Sequence, residues 1–183
     1  MLRMKNNPIQ LFEKHFAEKW CDNLSSYAEI VCKHKATTID KTDNTSRKVF
    51  NYALGESKQD TLYKAFLYRK IAEITKSYCQ KFFFLNDIKI LDTELLKYET
   101  GNFYKPHIDD SAQTPRTLSL IINLNDDYVG GELCFMDRKN KDAENIFELK
   151  KGDAIIFPSN FLYPHGIFPI ISGKRYSIIT WLR

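Results

Sequence analysis

His107-Ile-Asp109 is the first place in this chain where residue types and spacing could do chemistry. It closes a run at 104–108 that reads as a strand. Residues two apart on a strand project from one face, so the imidazole and the carboxylate point together while Ile108 turns away. A second imidazole, His165, stands in Tyr163-Pro-His-Gly166, just ahead of another strand-like run. Two neutral imidazoles and one carboxylate on one face of an octahedral ion leave three positions open, the arrangement of non-haem Fe(II) sites. The open positions let a chelating cosubstrate and dioxygen both reach the metal.

Arg175 follows His165 by ten residues, in Gly173-Lys-Arg-Tyr-Ser-Ile-Ile-Thr-Trp181. On a strand Arg175, Ser177 and Ile179 share a face, which lines up a guanidinium and a hydroxyl. A planar, permanently charged fork in an apolar run calls for a carboxylate held bidentately. Lys174 competes for that role but faces the other side of the strand.

These residues need a scaffold. Trp20, Leu24, Ala28 and Val31 recur at helical steps and predict a helix over 17–33. Ser57-x-x-Asp60 resembles a capping box, and Leu62, Phe66, Leu67, Ile71, Ile74 and Tyr78 predict a long helix to about Phe82. A short strand is expected at 9–11 and another at 47–54, with a polar surface loop at 37–46 between them. From residue 88 onward short β-branched and aromatic runs alternate with turn signals, at 88–91, 94–98, 104–108, 117–124, 132–136, 146–149, 154–157, 166–171 and 175–182. Many short strands at this spacing predict two sheets curling around a cavity. The expected class is α+β, a double-stranded β-helix (jelly roll) core buttressed by N-terminal helices.

Composition sets the outer bounds. A chain of 183 residues suits one domain, 1–183, in which 1–85 is mainly helical support and 86–183 the jelly-roll catalytic core. The 43% hydrophobic content, with 13 Phe and 10 Tyr, excludes a disordered chain. No run approaches the roughly 18–20 apolar residues that cross a bilayer, so no membrane partner is expected. The N-terminal residues are basic without an apolar segment behind them and do not read as a secretory signal. Four scattered cysteines, Cys21, Cys32, Cys79 and Cys134, read as reduced thiols of a cytoplasmic protein. The net charge of +4 is spread over pairs such as Lys150-Lys151, with no basic cluster that would announce a nucleic-acid partner.

The sequence resembles the 2-oxoglutarate and Fe(II)-dependent dioxygenases, and within them the prolyl hydroxylase-like branch. The resemblance rests on segments 98–109, 118–125, Gly130-Gly-Glu-Leu-Cys-Phe135, Lys151-Gly-Asp-Ala-Ile-Ile-Phe157 and the tail from Pro164-His165 to Trp181, in family order. It implies His107, Asp109 and His165 as iron ligands, and Arg175 as partner of the distal carboxylate of 2-oxoglutarate. It implies a cosubstrate-binding hydroxyl on Tyr98, a place near the substrate for Tyr104, and a pocket-lining aromatic at Trp181. Ser177 fits an Arg-x-Ser pattern of other branches. Asn123 stands where some relatives place a tyrosine that contacts the cosubstrate.

The implied cofactors are Fe(II), 2-oxoglutarate and dioxygen, with ascorbate as a further candidate. The implied activity is hydroxylation of an unactivated C–H, on a prolyl residue of a peptide or protein, with release of succinate and CO2. Loops at 36–48 and 137–145 are candidates to close over an extended chain. Other readings stay open: a hydroxylase of a free amino acid or other small molecule, a nucleic-acid dealkylase, or a binding module without catalysis. Tyr104 and Trp181 read equally well as core aromatics.

Overall fold

The computed structural model describes residues 7–36, 46–82, 88–137 and 142–183. The segment before residue 83 contributes β1 (Gln10–Phe12), α1 (Glu18–Val31), β2 (His34–Lys35), β3 (Arg47–Lys48), β4 (Phe50–Ala53) and α2 (Lys58–Lys81). The remainder is strand: β5 (Ile90–Glu99), β6 (Phe103–His107), β7 (Leu118–Asn123), β8 (Val129–Gly130), β9 (Leu133–Met136), β10 (Ala143–Phe147), β11 (Ala154–Pro158), β12 (His165–Ile167), β13 (Ile170–Ser172) and β14 (Lys174–Leu182). A seven-stranded sheet runs β1-β11-β7-β14-β5-β4-β2 and faces a five-stranded sheet, β10-β9-β12-β6-β3. The pairings are antiparallel, and the two sheets form the jelly roll expected from the sequence. The polar loop expected at 37–46 lies largely outside the described residues, as does the boundary between residues 85 and 86; of the closing loop expected at 137–145, residues 138–141 lie outside them, while 143–145 are strand, the start of β10 paired with β9. The helices share the first segment with four strands, three of which, β1, β4 and β2, belong to the seven-stranded sheet, while β3 edges the five-stranded one.

Strand alternation sorts the large sheet into two faces. Leu95, Leu118, Leu120, Ile122, Ile178 and Leu182 point outward and pack on Leu24 and Ala28 of α1 and Leu67, Ile71 and Ile74 of α2. Leu96, Tyr98, Ile121, Ile179 and Trp181 point inward, toward Leu133, Phe135 and Ile167 of the small sheet. With both faces covered, β7 is buried at every position, so it reads as a continuous apolar run. Ser119 and Asn123 break that run because their face looks between the sheets.

Two expectations change. The runs at 88–91 and 94–98 are one strand, β5, because Thr93 pairs through its hydroxyl with Thr180 at 3.0 Å. A buried cross-strand threonine pair looks like a break only in sequence. Conversely, the run at 166–171 splits into β12 and β13 at Phe168-Pro169, where proline has no N–H to give a ladder.

Asp60 ties α2 to its neighbours. The side chain of Ser57 caps the helix by accepting from the Asp60 N–H at 3.1 Å, and its hydroxyl donates back to the Asp60 carboxylate at 2.7 Å. The same buried carboxylate accepts from Tyr27 of α1 and Tyr52 of β4, both at 2.9 Å. Burial opposes its ionisation, but the Ser57, Tyr27, Tyr52 and Gly55 donors outweigh that, and its pKa lies below the usual 3.8. Stabilisation from this group is therefore full above pH 3.8 and is lost as pH falls through the lower folded value. Asp60→Ala leaves two half-buried phenols without their acceptor and is expected to cost about 1–3 kcal/mol in urea unfolding. A loss below about 1 kcal/mol would contradict this account of the α2 anchor.

Candidate active site

β6 and β12 lie side by side with His165 directly opposite His107. Gly166 makes this approach possible: a Cβ there would sit 2.8 Å from the carbonyl oxygen of Tyr104. Asp109 follows the end of β6, where its N–H donates to the Ser159 carbonyl oxygen at 3.2 Å and turns the chain back over the cavity. The result brings one donor atom each from His107, Asp109 and His165 to within 4.8 Å of one another. Their Nε2 atoms lie 3.4 Å and 3.5 Å from the two Asp109 oxygens.

The imidazoles are oriented from behind. His107 Nδ1 meets the Lys105 carbonyl oxygen at 3.0 Å, and His165 Nδ1 meets that of Tyr163 at 3.2 Å. A carbonyl oxygen can only accept, so Nδ1 carries the proton and Nε2 keeps its lone pair for a metal. On the carboxylate side, Ser119 donates to Asp109 Oδ2 at 2.6 Å and also meets the Ser159 hydroxyl at 2.8 Å. Burial opposes the Asp109 charge, but the two histidines outweigh it and hold the carboxyl well below the carboxylate range. Burial is also the main cause lowering His107 below 6.5, against the pull of Asp109. Hence Asp109 is ionised and His107 neutral at neutral pH, the forms that bind a metal. Fe(II) affinity, measured by anaerobic titration, is expected to stay level from about pH 8 to 7 and to fall at lower pH as the ligands take up protons. A steep decline already between pH 8 and 7 would contradict it.

The triad forms part of the wall of a cavity of about 440 Å³ between the sheets. Tyr98, Tyr104, Arg175, Ser177 and Trp181 also line it. Tyr104 stacks on His107 with ring centres 3.6 Å apart. Tyr98 is buried, which raises its pKa and keeps it a phenol able to donate. Arg175 is 1% exposed; its Nη1 donates to Ser177 at 3.2 Å, while Nε and Nη2 have no partner. Its guanidinium lies 5.4 Å from the centre of the Tyr98 ring, and among the described residues no carboxylate pairs with it. Lys174, next in the chain, points out of the cavity and donates to Glu29 at 2.8 Å.

Asn123 stands apart from this group. It is buried but does not line the cavity, and its Nδ2 donates to the carbonyl oxygens of Asn125 and Leu149 at 2.6 and 2.9 Å. These bonds hold the turn after β7, so the expected cosubstrate contact is not where the structure puts this side chain. Sequence reasoning missed four residues near the triad. Ser119 and Ser159 bracket Asp109; a serine inside the apolar run 118–122 was the available signal for the first. Arg116 donates to the Asp109 carbonyl oxygen and lies 3.7 Å over the Trp181 ring, whose indole N–H is buried without a partner. Arg47 lies 4.7 Å over Tyr104, and no pattern around it marked a site.

A sequence profile of the 2OG-Fe(II) oxygenase superfamily matches residues 93–183, a stretch containing the whole triad and Arg175. The chain belongs to this superfamily. The family's cofactors are Fe(II), 2-oxoglutarate and dioxygen, and the His-Asp-His donor set with an orphaned buried cation beside it fits the first two. Among curated relatives, a PKHD-type hydroxylase of Psychrobacter sp. (strain PRwf-1) is 38% identical over 96 residues, 47% of this chain and 35% of that protein. Another, from Prochlorococcus marinus (strain MIT 9215), is 26% identical over 148 residues, 79% of this chain and 57% of its own. The chain thus spans between about a third and three fifths of the length of these two relatives.

Similar folds occur in prolyl hydroxylases of known structure. A Pseudomonas putida prolyl-4-hydroxylase superposes with TM-score 0.76 at 17% identity, over 97% of this chain and 93% of that one. A Trichoplax adhaerens prolyl hydroxylase, solved with a hypoxia inducible factor peptide fragment, gives TM-score 0.75 at 18% identity, over 98% and 84%. Likeness at this identity establishes the shared fold. No helix of the described residues is long and apolar enough to cross a membrane, and all four cysteines are free.

Proposed function

We propose that this chain is an Fe(II)- and 2-oxoglutarate-dependent dioxygenase that hydroxylates an unactivated C–H of a prolyl residue in a peptide or protein, releasing succinate and CO2. The observation that carries this reading is Arg175. An ionised guanidinium taken almost wholly out of water without an anion is costly, and a carboxylate ligand entering the cavity that Arg175 shares with the triad would supply the missing partner. His107, Asp109 and His165 would hold the iron through Nε2, one carboxylate oxygen and Nε2. Arg175 and Ser177 would hold the distal carboxylate of 2-oxoglutarate, with the Tyr98 phenol as a further donor in the same wall.

Bound there, Fe(II) and 2-oxoglutarate supply the dioxygen chemistry, oxidative decarboxylation that generates the oxidant for the C–H bond. The chain's own contribution is placement and exclusion of water. The Nδ1 hydrogen bonds fix the imidazoles, Ser119 fixes the carboxylate, and Leu96, Ile121, Ile167 and Ile179 keep the cavity wall apolar around the reacting centre. Tyr104 and Trp181 line the side left for the substrate. The prolyl target is supported by the fold shared with prolyl hydroxylases, and hydroxylation more broadly by the names of the curated relatives.

A screen tests it: proline-containing peptides, free amino acids and alkylated oligonucleotides, read by mass spectrometry with and without 2-oxoglutarate. The proposal expects a gain of one oxygen on a prolyl peptide. Oxygen gain only on free amino acids, or loss of a methyl group from an oligonucleotide, would overturn the peptide assignment.

A further inference from the structure

We propose that Arg47 is a second anion-binding position of this cavity, and that the substrate carries a carboxylate close to the carbon it presents for reaction. The inference takes from the proposed function only what fills the inner end of the cavity. Among the described residues three arginines line the cavity, Arg47, Arg116 and Arg175, against two carboxylates, Glu94 and Asp109. Neither carboxylate neutralises an arginine: Asp109 faces the imidazoles, and Glu94 accepts from Asn51 at 3.0 Å. A 2-oxoglutarate dianion accounts for Arg175 and for the charge of the metal. Two guanidiniums remain for the substrate side.

They are not equivalent. Arg116 is committed, with Nη1 on the Asp109 carbonyl oxygen at 3.2 Å and its plane over the Trp181 indole. Arg47 has its Nε buried without a hydrogen-bond partner, and no ion pair holds it among the described residues. It belongs to the opposite sheet, on β3, where it pairs in register with Tyr104 of β6. Its guanidinium lies 4.7 Å from the Tyr104 ring centre, and that ring stacks at 3.6 Å on His107. The unpartnered Nε gives this fork an edge on which a carboxylate can be taken bidentately. Tyr104 lies between Arg47 and the His107 imidazole on the wall of the same cavity, so an anion held there would sit one aromatic ring away from a triad member.

The carboxylate has two possible sources, a free amino acid or an acidic residue beside the target in a peptide. The test uses two matched pairs: L-proline against L-prolinamide, and acetyl-Gly-Pro-Glu-amide against acetyl-Gly-Pro-Gln-amide. Each is titrated calorimetrically under argon into protein given Fe(II) and 2-oxoglutarate. At least one acid should bind about tenfold or more tighter than its amide, as expected for a charge-assisted pair. Arg47→Gln should bring that ratio to within about twofold, and Arg47→Lys should restore part of it because the charge remains. The responding pair identifies the source. Equal binding of acid and amide by the unaltered protein, including no binding of either, overturns the proposal, as does a preference that survives Arg47→Gln. Failure of the oxygenase reading shows separately, as absence of 2-oxoglutarate binding before any probe is added. The same pairs titrated into the protein alone then decide the Arg47 proposal by the same ratios.

Discussion

Arg175→Met is expected to raise the melting temperature of the ligand-free protein and to abolish its response to 2-oxoglutarate. A buried guanidinium with two unpartnered nitrogens and no anion is a destabilising feature of the empty fold. Methionine fills similar space without charge, and replacing buried ionic groups with apolar ones is often worth about 1–4 kcal/mol. In a chain of this size each kcal/mol moves the midpoint by about 2–4 °C, so a rise of several degrees is within reach of differential scanning fluorimetry. The same change removes the partner of the distal carboxylate. Loss of one member of a buried, hydrogen-bonded charge pair costs about 2–5 kcal/mol, equivalent to roughly 30- to 4,000-fold in affinity. A purely structural arginine predicts the reverse pattern, a fall in melting temperature with 2-oxoglutarate binding intact. The opposite signs of the two readouts make this prediction sharp.

The second large effect is on the metal. Asp109→Ala removes the only carboxylate of the triad and, with it, the acceptor of the Ser119 hydroxyl and both Nε2 contacts. Fe(II) affinity should fall by more than the roughly 10- to 100-fold that loss of an outer-shell partner produces. Ser119→Ala provides that smaller comparison. It frees Asp109 Oδ2 from its 2.6 Å hydrogen bond without touching a donor atom, so a loss of about 10- to 100-fold is expected. Equal losses in the two variants, measured by anaerobic Fe(II) titration, would mean that Asp109 acts by position alone and is not a ligand.

Much of this was legible in the sequence because strand periodicity is local. Arg175, Ser177, Ile179 and Trp181 line one wall by strand alternation, whereas Asp109 joins His107 only through the bend beyond β6, where Ile108 lines the cavity as well instead of turning away. The cap of α2 was visible as Ser57-x-x-Asp60, although nothing in sequence foretold that Tyr27 and Tyr52 would converge on that carboxylate. What stayed hidden depends on pairing between distant segments. Arg47 reaches the cavity only because β3 adds to the edge of the small sheet beside Tyr104, a contact between residues 57 positions apart. Asn123 went astray for a related reason: its register on β7 points it between the sheets, but the carbonyls of Asn125 and Leu149 capture its amide first. Side-chain competition for backbone acceptors has no signature in spacing.

In the proposed site His107, Asp109 and His165 hold an iron to which 2-oxoglutarate binds. Anaerobic titration of Fe(II) together with 2-oxoglutarate tests it most directly, followed by visible absorption in the unaltered protein and in the His107→Ala, Asp109→Ala double variant. A metal-to-ligand charge-transfer band is expected that requires both additions and vanishes in the double variant. A band that persists in the double variant, or none in the unaltered protein, would contradict it.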